Sequence, residues 1–202
     1  MMQYNANSGQ ERFSCYATDK TQKPIAIYKK ITSTGGETPE PTCTPINPTL
    51  TYSSTSLLTN STATATLEGN TGNGDVTYTT SDDKVATVAA DGTVTAVGGG
   101  TATITATIAA AGEYCGGTAT AKITVTPLIS CSEVYGLDDN ATFALKEFIV
   151  TYANGKYTYI KDDTGYGVIF TNSGAYGLEA GNVVASGKLF ASKTTYRGLV
   201  EI

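Results

Sequence analysis

The chain contains no histidine among its 202 residues, and that removes much of the chemistry open to a protein of this size. Ser–His and Cys–His nucleophilic pairs and imidazole metal sites all need that side chain, so each is excluded. Carboxylates remain, in the adjacent pairs Asp82-Asp83, Asp138-Asp139 and Asp162-Asp163. Neighbouring residues on a strand point to opposite faces, which places such pairs badly for two-carboxylate glycoside hydrolysis. All of them also fall in stretches of turn composition, where an Asp side chain bonds the backbone ahead of it. Gly98, Gly99 and Gly100 lack the following helix and Gly-Lys-Thr/Ser step of a phosphate loop, and read as a tight turn. No catalytic residue, metal ligand or cofactor is expected, and the chain is expected not to be an enzyme.

A second group of residues could bind rather than react. Tyr157, Tyr159 and Lys161 alternate with Thr158 and Ile160 in a stretch of strand composition, and Tyr166 and Phe170 follow on the next one. If Ile160 points inward, the two tyrosines and the lysine share the outer face. Rings so placed are stacking platforms with an ammonium as polar anchor. The alternative is that they are ordinary strand tyrosines or an interface against a neighbouring domain. Asp162 and Asp163 beside them would repel phosphate.

The elements that position these residues are strands. Thr, Ser, Gly and Ala abound, Tyr outnumbers the other aromatics, and only 15% of residues are charged. Thr and Tyr suit half-buried pleated surfaces and Gly and Asn suit the turns between them, so the expected class is all-β. The net charge is −5. Lys plus Arg against Asp plus Glu run five to four in residues 1–45, two to six in 46–127, and six to eight in 128–202. No segment is a basic patch, which leaves sequence-independent attraction to phosphate backbones little to act on.

No run of about 20 apolar residues could cross a membrane, so no membrane insertion is expected. Met1 leads straight into Gln3, Tyr4 and Asn5 without a signal peptide, and the start reads as a fragment boundary. Cys15, Cys43, Cys115 and Cys131 allow three fully paired connectivities and form no Cys-x-x-Cys. Either four buried thiols or at least one disulfide is open, the latter fitting an exported protein.

Along the chain, residues 12–18 and 24–30 read as two strands joined by a polar turn. They are too few to bury a core and suggest, over residues 1–31, the closing hairpin of a preceding β domain. Residues 32–43 have the Gly, Pro and Thr of a linker. From residue 49 to 126 alternation is strong: Ala63, Ala65 and Leu67; then Ala102, Ile104, Ala106 and Ile108; then Ala119, Ala121, Ile123 and Val125. Period two with a polar opposite face, broken by turns at 69–74, 91–92 and 98–100, predicts a sandwich of antiparallel sheets. Asn60-Ser61-Thr62 and Asn140-Ala141-Thr142 match the N-glycosylation pattern by chance.

The blocks Thr80-Ser-Asp-Asp-Lys-Val-Ala-Thr-Val88, Asp91-Gly-Thr-Val-Thr-Ala-Val97, Gly100-Thr-Ala-Thr-Ile-Thr-Ala-Thr107 and Ile123-Thr-Val-Thr-Pro127 resemble the group 2 bacterial Ig-like family. The resemblance covers residues 44–127, and Tyr78 stands where such domains usually carry Trp. It implies a non-catalytic spacer or adhesion module. In that fold the start of the first strand and the loop before the last strand share a pole, which implies a Cys43–Cys115 disulfide. Cys15 and Cys131 are then free or paired with each other.

Beyond Pro127, residues 130–139 could hold one helical turn capped by Ser130 or Ser132. Strands are predicted at 143–152, 156–162 and 166–171, with an Asn154-Gly155 hairpin turn and a second turn at 163–165. A loop at 172–181 leads to strands at 182–192 and 195–202. Three strands, a loop and two strands is the order of an OB-type five-stranded barrel. The stretches Tyr157-Thr-Tyr-Ile-Lys-Asp-Asp-Thr-Gly-Tyr-Gly-Val-Ile-Phe170, Gly177-Leu-Glu-Ala-Gly-Asn-Val-Val184 and Tyr196-Arg-Gly-Leu-Val-Glu-Ile202 resemble the OB-fold domains appended to secreted proteins and extracellular nucleases. The resemblance covers residues 130–202 and implies binding of oligonucleotides or oligosaccharides across the second and third strands, on Tyr157, Tyr159, Lys161 and Tyr166.

The expected protein is a non-catalytic accessory or spacer region of an exported bacterial multidomain surface protein, secreted or at the cell surface. Its partners are the neighbouring domains of a larger parent. One alternative is a module binding single-stranded nucleic acid or glycan. Another is a non-catalytic part of a larger secreted nuclease or hydrolase.

Overall fold

The computed structural model describes residues 2–5, 12–15, 43–172, 174 and 177–202, the first two stretches for their backbone alone. The chain divides into two units, Met1–Glu40 and Pro41–Ile202. In the first, β1 (Met2–Asn5) pairs antiparallel with β2 (Arg12–Cys15), Met2 opposite Cys15. Among the described residues β2 thus pairs with a strand at Met2–Asn5 that was not predicted from the sequence. The predicted strand at 24–30, the linker and the turn between 19 and 23 lie outside the described residues.

In the second unit the apolar alternation decides the layers. The long hairpin of β10 (Gly100–Ile108) and β11 (Gly117–Thr126) buries Ala102, Ile104, Ala106, Ile108, Ala119, Ile123 and Val125 while the interleaved threonines stay mostly exposed or partly so. Flanking it are β4 (Ser56–Leu58), parallel to β11, and β7 (Val76–Thr80), antiparallel to β10, giving the order β4-β11-β10-β7. The facing layer is built from β3 (Thr49–Tyr52) on β6 (Ala65–Glu68), and from β5 (Thr62–Ala63), β9 (Val94–Ala96) and β8 (Ala86–Val88) in the order β5-β9-β8. β5 and β6 are one strand interrupted at Thr64, whose N–H turns aside to the Ser53 hydroxyl at 3.1 Å. The core between the layers holds Leu50, Leu57, Ala63, Ala86, Val94, Ile104 and Ile123. This is an Ig-like β-sandwich in an all-β chain.

Tyr78, in the place of the family's usual Trp, packs on this core beside Tyr52. Burial and the neighbouring Tyr78 push the Tyr52 phenol up to about 12, and it donates to the Gly92 carbonyl at 3.1 Å. Asn60 and Asn140 both take positive φ, 69° and 68°. A left-handed turn explains an asparagine at each place.

One pole is closed covalently. Thr44 N–H donates to the Glu113 carbonyl at 2.7 Å and Cys115 N–H to the Thr44 carbonyl at 2.9 Å. This pairing brings the Cα atoms of Cys43 and Cys115 to 5.0 Å, and a disulfide joins them. The Cys131 thiol is free and buried, and the pairing of Cys15 lies outside the described residues.

Only Pro127 separates β11 from β12 (Leu128–Ile129), which runs parallel to β13 (Thr142–Leu145). Between them α1 (Cys131–Val134) is a single turn capped at Ser130. β13 also pairs with β18 (Phe190–Ser192), whereas β14 (Phe148–Asn154) pairs with β15 (Tyr157–Lys161) and β17 (Val183–Val184). The predicted strand at 143–152 is therefore two strands serving two sheets. It breaks at Lys146–Glu147, where Glu147 N–H turns to the Ser186 hydroxyl at 2.8 Å. β16 (Tyr166–Phe170) completes the order β16-β15-β14-β17. A separate core of Cys131, Val134, Phe143, Leu145, Phe148, Val150, Ile160, Ile169 and Ile202 lies beneath.

Two turns differ from expectation. Asn154 pairs with Tyr157, so the central residues of the first hairpin are Gly155 and Lys156, one position later than predicted. Gly155 has φ +56° and Lys156 does not, the II′ pattern with Gly first. The predicted strand at 195–202 is a hairpin of β19 (Thr194–Tyr196) and β20 (Leu199–Glu201). Its central residues Arg197 and Gly198 both have positive φ, which turns the chain back on itself. Ile202 then reaches β16, its N–H donating to the Val168 carbonyl at 2.8 Å and its carbonyl accepting from Phe170 at 3.0 Å.

Candidate functional site

Register across β16, β15 and β14 sets which side chains meet. Residues directly opposite each other share a face. The rows are Tyr166, Lys161, Ile149 and Val183; then Val168, Tyr159 and Tyr152; then Phe170, Tyr157 and Asn154. On β15, Thr158 and Ile160 are buried, which turns Tyr157, Tyr159 and Lys161 outward together. The four tyrosines are 40% (Tyr157), 43% (Tyr159), 54% (Tyr152) and 63% (Tyr166) exposed, so none is buried between domains. Tyr159 and Tyr152 have centroids 6.0 Å apart at 44°, and Tyr157 and Phe170 5.3 Å apart at 47°. The rings are tilted, not coplanar. Lys161 Nζ lies 5.5 Å from the Tyr166 centroid, a cation–π contact.

Tyr152 belongs to this face although strand alternation points it inward. Phe148 and Val150 are buried and Ile149 exposed, so Tyr152 should follow Val150 into the core. A β-bulge between Val150 and Tyr152 inserts one residue and reverses the parity. The signal was readable from the other end. A two-residue Gly-Lys loop fixes Asn154 opposite Tyr157, and counting back places Tyr152 opposite Tyr159.

The adjacent carboxylates are turn elements. Asp162 Oδ1 accepts from Thr164 N–H at 2.8 Å, the Thr164 hydroxyl at 2.7 Å and Gly165 N–H at 2.9 Å, and Oδ2 accepts from Cys131 N–H at 2.7 Å. Burial pushes the Asp162 carboxyl up, but the Thr164, Cys131 and Gly165 donors outweigh it and hold the group below its ordinary value. Asp82 accepts from Lys84 N–H at 3.0 Å, and Asp139 from the Thr195 hydroxyl at 2.8 Å. Among the described residues, no group of three or more His, Cys, Asp or Glu side chains could hold a metal ion. Burial first, then the neighbouring Asp162 charge, pushes the Cys131 thiol up to about 12, so it stays a neutral, unreactive thiol. The Gly98–Gly99 bend enters β10 with no helix, the Val97 and Gly98 N–H groups turned back to the Val85 carbonyl.

Glu133 closes the turn of α1, its Oε2 accepting from the Ser130 hydroxyl at 2.6 Å, Ser130 N–H at 2.8 Å and Lys146 Nζ at 3.0 Å. The Ser130 hydroxyl first, then its N–H and Lys146, lower the Glu133 carboxyl from 4.5 to about 2. A depressed carboxyl pKa adds stability that is complete above the ordinary value and is lost as pH falls through the folded one. A decline between pH 4.5 and about 2 is therefore expected. Because the carboxylate is half exposed, screening keeps it to about 1 kcal/mol. Urea denaturation across that range checks it, and Glu133→Gln should flatten this part of the profile.

Residues 44–114 match the family described as bacterial Ig-like domain (group 2). That segment is a bacterial Ig-like domain. Such Ig-like domains are non-catalytic modules that occur in exported or surface bacterial proteins. The search of curated proteins found no match. Among solved structures the chain is similar to a crystal structure of an EHEC O157:H7 intimin mutant, at 16% identity, covering 66% of this chain and 85% of that one with a TM-score of 0.31. A superposition of that quality carries nothing about function. Among the described residues no helix is long and apolar enough to cross a membrane.

Proposed function

We propose that the chain is a non-catalytic accessory region of an exported bacterial multidomain surface protein, in which the Ig-like domain (44–127) and an OB-type domain (130–202) form one stiff spacer. The observation that carries this is the joint. Thr59 N–H and hydroxyl both donate to the Thr126 carbonyl, at 3.2 and 3.4 Å, and the same hydroxyl accepts from Leu128 N–H at 2.9 Å. On the far side, Ala144 N–H donates to the Pro127 carbonyl and Lys146 N–H to the Ile129 carbonyl, both at 2.9 Å. The connecting residues are thus bonded into both domains, where a flexible linker would leave its backbone to water. Gly187, at φ +74°, approaches Leu58 of β4 so closely that any Cβ would collide with it. The OB-type reading is supported by the β14-β15-β16 meander, by β17 returning to β14, and by Ile202 meeting β16.

A second reading is favoured by the exposure of the tyrosines: the same domain binds single-stranded nucleic acid or a glycan across Tyr157, Tyr159, Lys161 and Tyr166. Tyr152 would extend that surface. Binding of labelled single-stranded DNA, RNA and a glycan array, at low and physiological salt, separates the two. The spacer reading expects silence at low salt, where electrostatic binding is strongest. Binding that a Tyr157→Ala/Tyr159→Ala variant abolishes would replace it with a recognition module. The third possibility, a non-catalytic part of a larger secreted nuclease or hydrolase, shares the same spacer chemistry.

A further inference from the structure

Tension passing through the Ig-like domain has a defined covalent route. The chain enters the sandwich at Cys43 and leaves it after Thr126, the last residue of β11. Between those points it runs through β3 to β10 before it reaches β11. The disulfide bypasses that run, because it joins Cys43 to Cys115 across a sequence separation of 72 with their Cα atoms 5.0 Å apart. Cys115 stands just before Gly117, where β11 begins. A pull on the two ends of the domain therefore crosses the bridge and follows β11 alone. At the far end the Thr126 carbonyl is held by the Thr59 N–H and hydroxyl, at 3.2 and 3.4 Å, and Pro127 leads straight into β12.

That route is already close to its full length. β11 is ten residues long and pairs with β10 from Gly117 opposite Ile108 to Val125 opposite Gly100. A paired strand rises about 3.4 Å per residue, and a fully extended chain reaches at most about 3.6 Å. Straightening the chain from Cys115 to Thr126 thus adds on the order of 5 Å or less. Force favours unfolding only through the length that unfolding releases, so on this route it does almost no work. Both ends of the route also lie at the ends of one strand, so the hydrogen bonds of β11 to β10 and β4 are not sheared. Without the bridge the same pull would act on the whole sandwich from Cys43 to Thr126, and its unfolding would release about 250 Å.

We propose that the Ig-like domain is an inextensible strut, in which the Cys43–Cys115 bridge and β11 carry tension and the rest of the sandwich stays folded and unloaded. Its use rests on the spacer reading, since a spacer in a surface protein transmits force between its neighbours. Its mechanics do not. A hinge at Pro127, or a ligand captured by the C-terminal domain, would remove the spacer reading and leave the strut standing.

The test is single-molecule force spectroscopy of the full chain held by its two termini, comparing the oxidised wild type with Cys43→Ser/Cys115→Ser. Residues 1–42 and 128–202 are common to both proteins, so the difference between them belongs to the Ig-like domain. The double variant is expected to show an unfolding step of about 250 Å that the oxidised wild type lacks. Amide spectra report whether the variant folds. If it does not, wild type pulled in a phosphine reductant decides, and the same step of about 250 Å should appear there. The proposal is overturned if the oxidised wild type shows that step, or if neither the variant nor the reduced protein does. It is overturned equally if the oxidised wild type shows a step of about 30 Å that the variant lacks, since β11 would then not be the extended route.

Discussion

Replacing Cys43 and Cys115 together by serine is expected to lower the unfolding free energy of the Ig-like domain by about 4 kcal/mol. The bridge spans 72 positions, almost the whole sandwich, so the chain it constrains in the unfolded state is long. In the chain-entropy model a loop of that size accounts for the figure, and small domains typically lose 2–5 kcal/mol when such a bond goes. The native side of the balance changes little. The Thr44–Cys115 backbone bonds that bring the sulfurs together remain possible with serine, and Cys43 is only partly buried. Guanidinium unfolding followed by circular dichroism, with and without a phosphine reductant, checks this. Reductant should lower the midpoint of the wild type to that of the double variant and leave the variant where it is. Equal midpoints for oxidised wild type and variant would sink the idea.

The second large effect is expected at Asp162, and its neighbour provides the control. Asp162→Ala removes an ionised acceptor of four hydrogen bonds and strands the Cys131 N–H beside a buried side chain. Hydrogen bonds to charged groups contribute about 1.5–3 kcal/mol and cooperating ones do not add fully, so a loss of about 2–4 kcal/mol is expected. Asp162→Asn should recover part of this, because the amide oxygen can keep the Thr164 and Gly165 donors while its NH₂ faces the Cys131 N–H, which needs an acceptor. Asp163 is exposed and makes no such bonds, so Asp163→Ala should stay within about 0.5 kcal/mol. Urea denaturation of the single variants measures the contrast. Similar losses from both would mean that the two carboxylates act as a pair, contrary to the turn role that the hydrogen bonds describe.

The sandwich was legible because its signals are local and redundant. Ala102, Ile104, Ala106 and Ile108 repeat with period two over a strand long enough to leave no other register, and all four are buried. The disulfide was legible only through the resemblance to Ig-like domains, since four cysteines alone leave three pairings open. The C-terminal region was harder because its strands change partners. Residues 143–152 read as one strand by composition, and nothing local to Lys146 announces that the chain leaves one sheet for another there. Tyr152 was not singled out from sequence for a related reason: alternation counted from the core runs through a bulge, whereas counting from the hairpin does not. Arg197-Gly198 was passed over because only Gly198 suggests a left-handed residue, and a I′ turn needs two.

A stiff spacer requires above all a rigid joint at Pro127. Residual dipolar couplings from backbone amides of the full chain, measured in one alignment medium, test it. Couplings from residues 49–126 and from 142–201 are expected to fit a single alignment tensor. Thr59→Val, which removes the hydroxyl bonded to both Thr126 and Leu128, is expected to split them into two tensors of unequal magnitude. Two independent tensors in the wild-type chain would contradict the stiff spacer and leave two domains joined by a hinge.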